Sequence, residues 1–395
     1  MKLSALIVCA GIPLVAAQVE AQEARTLDRH LASRILGEER TITISLPENY
    51  DIARRRYPVV YLLDGELRPL FHITVSVTAF DLQLDAIDHA IPPHIVVAIE
   101  QKNRGVELGR SADSFLQFLK AEVIPTVDRE FRTSPVRILV GHSIAGRFAI
   151  DGLCRGGRTF SAAIAISPAI TDSADLRQVT ACVKERVRAD SGRLTHLFLS
   201  SGNRIKDATE AHFRPYHLAL RAWLADSAPS SLRWKFLDLP DVSHSQTPYF
   251  SIPDAVWFVN DRAVWDLPPP TIDSLFAGTR APDAAINEFY SRLSGRVGFA
   301  VPVDSKWLRI LAVLQGSKGQ WPAAISTARR AVDLYPEDIE AHLTLADVLA
   351  RSGDRPAAKR ALEDALQIAT KLAGPERIRS ERLELLRRRL QALAP

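Results

Sequence analysis

The chain has 395 residues, of which 47% are hydrophobic and 24% are charged, and its formal net charge at pH 7 is +4. This length and composition are those of an ordinary globular protein with a sizeable hydrophobic core and more than one domain. The positive charge is not concentrated in a Lys/Arg block with interleaved aromatic residues, which disfavours a nucleic-acid-binding protein.

The N-terminus has the pattern of a secretory signal peptide. Lys2 supplies a positive charge, and residues 3–17 form an apolar run that is shorter than the roughly 20 residues of a membrane-spanning helix. Small residues suited to signal peptidase follow, so we expect residues 1–21 to be removed and the protein to be secreted or periplasmic. An uncleaved N-terminal anchor is the alternative. No later segment is predicted to span a membrane.

Two cysteines, Cys154 and Cys182, remain after removal of the signal peptide. In an oxidising compartment they could form a disulfide, and otherwise they would be two separate buried thiols. The sequence does not give their distance, so both alternatives stay open. The ten histidines are scattered, and two cysteines cannot build a zinc site alone. We therefore expect neither a metal nor a cofactor.

Residues 26–262 alternate between strand and helix patterns. The run 57–63 is almost continuously apolar, as in a strand buried on both faces of a parallel sheet, whereas 41–46 alternates and is expected at a sheet edge. Helical spacing covers 111–129 and 208–225. This alternation predicts an α/β fold with a doubly wound, mostly parallel sheet. The remaining predicted strands are 94–99, 136–140, 162–166, 196–200 and 232–239.

The C-terminal part of the chain has an internal repeat. Three consecutive prolines at 268–270 cannot continue a helix, so residues 263–284 are expected to be a linker and 285–395 a helical domain. A spacing of 34 residues, the period of tetratricopeptide repeats, predicts two repeats over 305–372 and a capping helix over 376–393. The pairs at this spacing are Leu311/Leu345, Ala312/Ala346, Gly319/Gly353, Ala324/Ala358 and Ala331/Ala365.

The most informative segment of the chain is Val136-Arg-Ile-Leu-Val-Gly-His-Ser-Ile-Ala-Gly146. An apolar strand ends at Gly141, and a helix begins near Ile144, so Ser143 lies at the sharp bend between them. In α/β-hydrolases the nucleophilic serine has this position, where the strained turn exposes its hydroxyl and the following helix directs N–H groups at the reaction centre. The sequence therefore predicts Ser143 as a nucleophile.

A serine nucleophile needs a base and an acid. In α/β-hydrolases the chain order is Ser, then Asp or Glu, then His, and His244 follows the last predicted strand as that order requires. The acid is expected after the strand that ends at Ser201. We favour Asp207, which is closer to the strand but could equally be only an N-terminal helix residue, with Glu210 as the alternative.

Two backbone N–H groups should stabilise the oxyanion that forms on attack. One is that of Ile144, directly after the nucleophile. The other is expected from the loop after the early central strand, from Glu66 or Gly65, where glycine allows a close backbone approach. We expect His142, beside the nucleophile, to be structural.

Several motifs resemble the putative-esterase family of α/β-hydrolases, which includes esterase D, ferri-enterochelin esterases and mycolyltransferases. The resemblance covers roughly residues 40–258, and family members with tetratricopeptide tails exist. It implies ester hydrolysis by a triad, here Ser143, His244 and an acid still to be decided. The motifs are Leu46-Pro-Glu-Asn-Tyr50, Tyr57-Pro-Val-Val-Tyr-Leu-Leu-Asp-Gly65, Phe115-Leu-Gln-Phe-Leu-Lys-Ala-Glu-Val-Ile-Pro125, Gly141-His-Ser-Ile-Ala-Gly146 and Ile166-Ser-Pro168.

Besides the acid after Gly202, which lies further along the chain than is usual in the family, the chain departs from the family pattern in two places. Ala145 replaces the first glycine of the usual Gly-His-Ser-x-Gly-Gly motif. The segment Arg104-Gly-Val-Glu107 has glutamate where the family often has aspartate. Neither change removes a predicted triad residue.

The sequence thus predicts a serine esterase that forms an acyl-enzyme on a small-molecule or siderophore-like ester. One alternative is an acyltransferase on the same scaffold. Another is a catalytically inactive hydrolase-like protein that acts as a binding module through its repeats. The tail is expected to bind a partner protein, to pack on the first domain or to mediate self-association, and the sequence does not separate these roles.

Overall fold

The computed structural model describes residues 25–79, 91–189, 192–372 and 376–393. The predicted signal peptide, 1–21, lies outside these residues. The described part of the chain contains one eight-stranded sheet. Its strands are β1 (Thr26–Ser33), β2 (Glu38–Ser45), β3 (Tyr57–Leu63), β4 (Ile95–Ile99), β5 (Thr133–His142), β6 (Ala162–Ile166), β7 (Thr195–Gly202) and β8 (Leu232–Leu239).

The strand order in the sheet is β1-β2-β4-β3-β5-β6-β7-β8. Strands β3 to β8 pair in parallel, and only β1–β2 and β2–β4 are antiparallel. The prediction of a doubly wound, mostly parallel α/β sheet is confirmed. Because the parallel strands share one direction, the loops after β3, β5, β6, β7 and β8 meet at one edge of the sheet. We call it the carboxyl edge.

One prediction about the sheet was wrong. Residues 41–46 were expected at the edge, but β2 pairs with β1 on one side and with β4 on the other. The edge strand is β1, whose side chains are mostly exposed or half-buried. Its sequence, Thr-Leu-Asp-Arg-His-Leu-Ala-Ser, lacks the apolar content by which the inner strands were found, and only pairing with β2 reveals it.

Helices cover both faces of the sheet. Successive side chains of a strand point to opposite faces. Tyr61 therefore belongs to the apolar cluster that includes α2–α6, whereas Val60 and Leu62 belong to the cluster that includes α1 and α7. The helices of this domain are α1 (Arg68–Ala79), α2 (Ala112–Phe118), α3 (Ile124–Glu130), α4 (Ile144–Arg155), α5 (Ser173–Ala189), α6 (Ala208–Ser227) and α7 (Thr247–Val259), with π-helical turns at Val106–Arg110 and Leu119–Val123 and a 3₁₀ turn at His244–Gln246.

The segment 263–284, expected to be a linker, contains helical structure. Helices α8 (Arg262–Trp265) and α9 (Pro269–Phe276) lie there, and Val264, Leu267 and Leu275 are buried in an apolar cluster with the tail. Prolines 268–270 begin α9 rather than exclude a helix, because proline is tolerated in the first turn, where its missing N–H is not needed.

The tail consists of antiparallel helix pairs with small residues at their crossings. Gly319 and Gly353, at equivalent places, have φ values of 72° and 100°, which explains the use of glycine at both turns. The six alanines of the three alanine pairs at the 34-residue spacing are all buried. The helices are α10 (Pro282–Val297), α11 (Ser305–Ser317), α12 (Trp321–Leu334), α13 (Ile339–Ser352), α14 (Arg355–Lys371) and α15 (Glu376–Ala392).

The tail packs on the first domain. The backbone N–H of Leu194 donates to the carbonyl of Arg296 at 2.8 Å, and Arg55 forms an ion pair with the nearly buried Glu337 at 3.1 Å. Ile52 packs against an apolar cluster of α13, α14 and α15. Of the three roles expected for the tail, packing on the first domain is therefore the one that the structure displays. Within residues 25–79, 91–189, 192–372 and 376–393, no helix has the length and apolar composition needed to cross a membrane.

The two cysteines lie on neighbouring helices. Cys154 on α4 and Cys182 on α5 are free thiols, and their side chains hydrogen-bond to each other. Of the alternatives considered from the sequence, the structure has neither a disulfide nor two separate thiols but an adjacent pair.

Candidate active site

Ser143 lies in a strained turn between β5 and α4. Its φ of 60° and ψ of −121° are unusual for a residue with a side chain. The turn is held by the segment after β6: the Ser143 N–H donates to the carbonyl of Ile166, and the Ser143 carbonyl accepts from the N–H of Ala169, both at 2.9 Å. The strand therefore ends, turns sharply and enters the helix as the sequence predicts.

The two glycines of the turn are required by close backbone approaches. A Cβ on Gly141 would lie 2.2 Å from the carbonyl oxygen of Ala145, and a Cβ on Gly146 would lie 2.9 Å from that of Ile166. Ala145, where the family usually has glycine, is fully buried and its methyl group is accommodated. This departure from the family pattern leaves the turn intact.

His244 begins the 3₁₀ turn that follows β8, and three groups hold it. Its ring Nδ1 is 2.8 Å from Oε1 of Glu210. Its backbone N–H donates to Oδ2 of Asp207 at 2.7 Å, and its carbonyl accepts from Nε2–H of His142 at 3.0 Å. The rings of His142 and His244 are in contact, with centroids 4.5 Å apart. Since His142 directly precedes Ser143, this contact brings His244 to the nucleophile turn.

The carboxylate on the His244 ring is that of Glu210 and not, as the sequence analysis favoured, that of Asp207. Asp207 is the N-cap of α6, and its Oδ1 accepts the N–H groups of Thr209 and Glu210. A capping side chain must turn back to the first helical amides, so it cannot also reach the ring. Glu210, in the first turn, points inward. The spacing Asp207-x-x-Glu210, typical of a helix N-terminus, was the signal that could have separated the two.

Glu210 is completely buried and has a donor at each oxygen. Oε1 accepts from Nδ1 of His244, and Oε2 accepts from the N–H of Gly202 at 3.0 Å. Burial alone would raise the pKa of Glu210, but the hydrogen bond with His244 lowers it below its usual value. At neutral pH the group is therefore a carboxylate directed at the imidazole.

His142 is a half-buried, uncharged support. Burial, followed by the neighbouring His244, lowers the pKa of His142 to about 3. Its Nε2–H is the proton donated to the His244 carbonyl, since a carbonyl can only accept. The expectation that His142 is structural agrees with these contacts.

Gly65 and Glu66, the two predicted sources of a second oxyanion donor, differ in the hydrogen bonds that their backbone N–H groups already make. The N–H of Gly65 donates to the carbonyl of Ile99 at 3.0 Å, so Gly65 cannot supply it. Glycine is needed there because a Cβ would lie 2.6 Å from the backbone nitrogen of Ile99. The backbone N–H of Glu66 is paired with the carboxylate of its own exposed side chain. The N–H of Ile144 is at the first position of α4, where no intrahelical carbonyl can accept it.

Arg104 joins the Glu66 loop to the nucleophile turn, a role that the sequence analysis missed. Its Nε and Nη2 contact Oδ1 and Oδ2 of Asp64 at 2.5 and 2.9 Å, and Nη2 also donates to the carbonyl of His142 at 2.8 Å. Asp64 is completely buried with a φ of 57°. Glu107, the glutamate that replaces the aspartate often found in the family, forms an ion pair with the buried Arg40. The only sequence signal was Arg104 in that family segment.

The arrangement provides a strained serine, a histidine with a buried carboxylate on its far nitrogen, and a free helix N-terminus beside them. These are the components of acyl transfer through a serine nucleophile. In the described part of the chain, no group of three or more His, Cys, Asp and Glu side chains is placed to hold a metal ion.

Comparisons with known proteins agree with the fold. The family profile "putative esterase" matches residues 33–231, and a tetratricopeptide-repeat profile matches 317–373. No curated protein sequence matches the chain.

Solved structures give the same picture. An IroE-like serine hydrolase from Shewanella oneidensis is 24% identical, with a TM-score of 0.60 over 75% of this chain and 95% of that one. An uncharacterised protein from Capnocytophaga ochracea is 16% identical, with a TM-score of 0.58 over 93% of this chain and 99% of that one. The siderophore hydrolase EstB from Aspergillus nidulans is 21% identical, with a TM-score of 0.51 over 67% and 100%. The chain belongs to the putative-esterase family of α/β-hydrolases and carries tetratricopeptide repeats behind its esterase domain.

Proposed function

We propose that this protein hydrolyses a carboxylic ester through an acyl-enzyme on Ser143. His244 takes the proton of the Ser143 hydroxyl during attack and returns it to the leaving alcohol, and Glu210 orients His244 and stabilises its cationic form. Water, activated by His244, then hydrolyses the acyl group from Ser143. The observation that carries this proposal is the 2.8 Å contact between the buried Glu210 carboxylate and Nδ1 of His244, next to the strained serine turn.

The N–H groups of Ile144 and Glu66 are proposed as the oxyanion donors. The position of Ile144 at the start of α4 supports the first, since a helix N-terminus favours developing negative charge. The second requires the exposed Glu66 carboxylate to leave its own amide when substrate binds. Gly65 is excluded by its bond to Ile99.

A small-molecule ester is the proposed substrate class. EstB, which has the same fold, is a siderophore hydrolase, so siderophore-like esters are the first natural compounds to assay beside synthetic esters. The repeat region packs on the esterase domain through Arg55 and Glu337, and its remaining surface is proposed to bind a protein partner.

We also propose export from the cytoplasm, on the pattern of residues 1–21, and an esterase unit of about residues 26–262 followed by the connecting segment 263–284 and the helical domain 285–395. N-terminal sequencing of the exported protein would locate the cleavage. A mature chain that still begins at Met1 would contradict the signal peptide.

The test of the function uses the full chain with a p-nitrophenyl ester and a fluorophosphonate probe. We expect turnover, labelling of Ser143, and a loss of kcat/KM of at least about 10⁴-fold in Ser143→Ala. Ser173→Ala, which changes an exposed serine at the start of α5, is the matched control and should keep both activities. Labelling that persists in Ser143→Ala would overturn the choice of nucleophile.

The same assay separates hydrolysis from transfer. With an added acceptor alcohol, a hydrolase releases mainly the free acid, whereas an acyltransferase forms the new ester in preference. Absence of both turnover and labelling in the wild-type protein would overturn the enzymatic function altogether.

A further inference from the structure

His217 is a buried histidine that the proposed triad does not use. It lies on α6, seven residues after Glu210 and hence on the same face of the helix, and its side chain is almost fully buried. Its Nε2 is 2.7 Å from the carbonyl oxygen of Pro168, and its Nδ1 is 2.9 Å from the hydroxyl of Ser201. Both ring nitrogens are therefore engaged.

The partners of His217 determine where the protons lie. A carbonyl oxygen can only accept, so Nε2 of His217 carries a proton and donates it to Pro168. Burial lowers the pKa of His217, so the ring is neutral at neutral pH and Nδ1 is left with a lone pair. The Ser201 hydroxyl also lies 3.2 Å from the carbonyl oxygen of Gly202, but its shortest contact is with Nδ1, and we assign its single proton to that contact.

Ser201 also lies beside the acid of the triad. Its Oγ is 3.3 Å from Oε2 of Glu210, longer than its 2.9 Å contact with His217. With the hydroxyl proton on the His217 side, Glu210 meets a lone pair of Ser201 rather than a donor. Oε2 then accepts from the N–H of Gly202 but not from Ser201, and less of the carboxylate charge is neutralised away from His244.

The other partner of His217 belongs to the segment that holds the nucleophile. Pro168 directly precedes Ala169, whose N–H donates to the carbonyl of Ser143. The imidazole of His217 thus contacts the segment that holds Ser143, through Pro168, and the residue beside Glu210, through Ser201.

We propose that His217 is a positioning residue of this site: its Nδ1 accepts the hydrogen bond of the Ser201 hydroxyl, so that this hydroxyl does not donate to Glu210 and more of the carboxylate charge acts on His244. The inference rests on the proposed function, because its effect is exerted through the triad. Three charged or titratable groups act on His217: Glu210 on the same face of α6, His244 in the turn after β8, and Arg214 on α6. Arg214 is paired with Asp238 of β8.

The test is a double-mutant cycle of His217→Phe and Ser201→Ala in the full chain. In His217→Phe the Ser201 hydroxyl loses its nearest acceptor and turns to Glu210, since a charged carboxylate is a stronger acceptor than the Gly202 carbonyl. We expect kcat/KM to fall about tenfold, the factor that corresponds to one hydrogen bond. The acid limb of the kcat/KM profile should also shift to lower pH, because a partly neutralised Glu210 holds a proton on His244 less strongly. In the Ser201→Ala background the same exchange should change kcat/KM by less than about twofold.

A role in packing alone predicts a different result. The loss from His217→Phe would then be equal in both backgrounds and would leave the pH profile in place, and either outcome overturns the proposal. His212→Phe, an exposed histidine of the same helix, is the matched control and should leave kcat/KM and the pH profile unchanged.

A second measurement does not depend on activity or on a stable variant. Nitrogen NMR of the wild-type protein with labelled histidine should show His217 at pH 7 as the Nε2–H tautomer with an unprotonated Nδ1. A proton on Nδ1 would overturn the proposal even if the esterase function holds. If the NMR result is as expected but the wild-type protein turns over no ester, the failure lies in the proposed function instead.

Discussion

The esterase domain and the repeat tail differ in which residue types have a strained backbone conformation. Among the described residues, every non-glycine residue with a positive φ lies in the esterase domain, and four of them directly follow a strand at the carboxyl edge or lie in the loop after it. In the tail, positive φ values occur only at glycines such as Gly319 and Gly353. The four residues at the carboxyl edge are Asp64, Ser143, Ser167 and Asp241.

The two regions also differ in the side chains that they bury. The esterase domain buries charged and polar side chains such as Asp64, Glu210 and His217 beside the proposed site, whereas the helix crossings of the tail bury alanines such as Ala324 and Ala358. Strain and buried charge cost stability, and they persist where surrounding contacts hold them in place. The comparison teaches that strain and buried charge coincide at one edge of the esterase domain. In the described part of the tail, the buried polar side chains of Ser305, Glu337 and His342 are not accompanied by non-glycine residues with a positive φ.

The variants with the largest expected effect test whether the two carboxylates at the start of α6, Asp207 and Glu210, have distinct roles. Glu210→Gln should lower kcat/KM by about 10³-fold or more, because the imidazole loses the charge that orients and stabilises it. Asp207→Asn should lower it by less than about tenfold, because asparagine still caps α6. Steady-state kinetics with a p-nitrophenyl ester measures both. Equal losses would return Asp207 to the position of triad acid.

The next effect tests the buried Asp64. Arg104→Ala removes its bidentate partner and leaves a carboxylate with no solvent access, which should cost about 3 kcal/mol of unfolding free energy. Because Arg104 also holds the His142 carbonyl, kcat/KM should fall by about 10²-fold. Urea unfolding and kinetics check the two effects. The control is Arg29→Ala, which breaks an exposed pair with Glu130 and should cost less than about 1 kcal/mol.

A third prediction concerns the buried, neutral histidines of the esterase domain. Burial lowers the pKa of His94 to about 4 from an unfolded value of 6.5, so its contribution to stability is present above pH 6.5 and is lost as the pH falls toward 4. Between pH 7 and pH 5 this one group should cost the wild-type protein about 2 kcal/mol.

His94→Leu should remove that part of the loss, as measured by urea unfolding at the two pH values. His72→Gln, at an exposed position on α1, serves as the control and should leave the wild-type difference unchanged. If His94→Leu loses as much stability as the wild type between pH 7 and pH 5, His94 does not titrate as described.

The smallest effect tests the tail. At Gly353 the φ is 100° and an added Cβ would meet no atom within 4 Å, so Gly353→Ala introduces backbone strain alone. It should cost about 1 kcal/mol of unfolding free energy and change kcat/KM by less than about twofold. Gly157→Ala, with a φ of 63° and equally open space in the esterase domain, is the matched variant. A loss of kcat/KM in Gly353→Ala alone would link the tail to the site.

Much of the fold could be predicted from local patterns. The run 57–63 is apolar throughout because β3 is buried on both faces, and the Gly141–Gly146 turn needs glycine where backbones approach closely. The 34-residue period located the repeats because each repeat must bury the same small residues against its neighbour. β1 escaped prediction because an exposed edge strand has no apolar face to detect.

The candidate site likewise has residues that could be predicted from the sequence and residues that could not. Ser143 and His244 could be named from the sequence because each follows a strand in an order that the sheet imposes. The choice between Asp207 and Glu210 could not, since both lie at the start of α6 and only the three-dimensional path decides which carboxylate caps the helix and which faces the imidazole. The exclusion of Gly65 depended on its bond to the neighbouring strand.

The sequence by itself determined the α/β fold followed by helical repeats, the sharp turn at Ser143 and the position of His244 after the last strand. These follow from periodicity and from residues that only certain backbone conformations accept. The tertiary structure alone decided the partners: Glu210 on His244, Arg104 on Asp64, His217 on Ser201, and the tail against Arg55. Hydrogen bonds and ion pairs between residues far apart in the chain depend on distance and direction in space, and no local pattern carries that information.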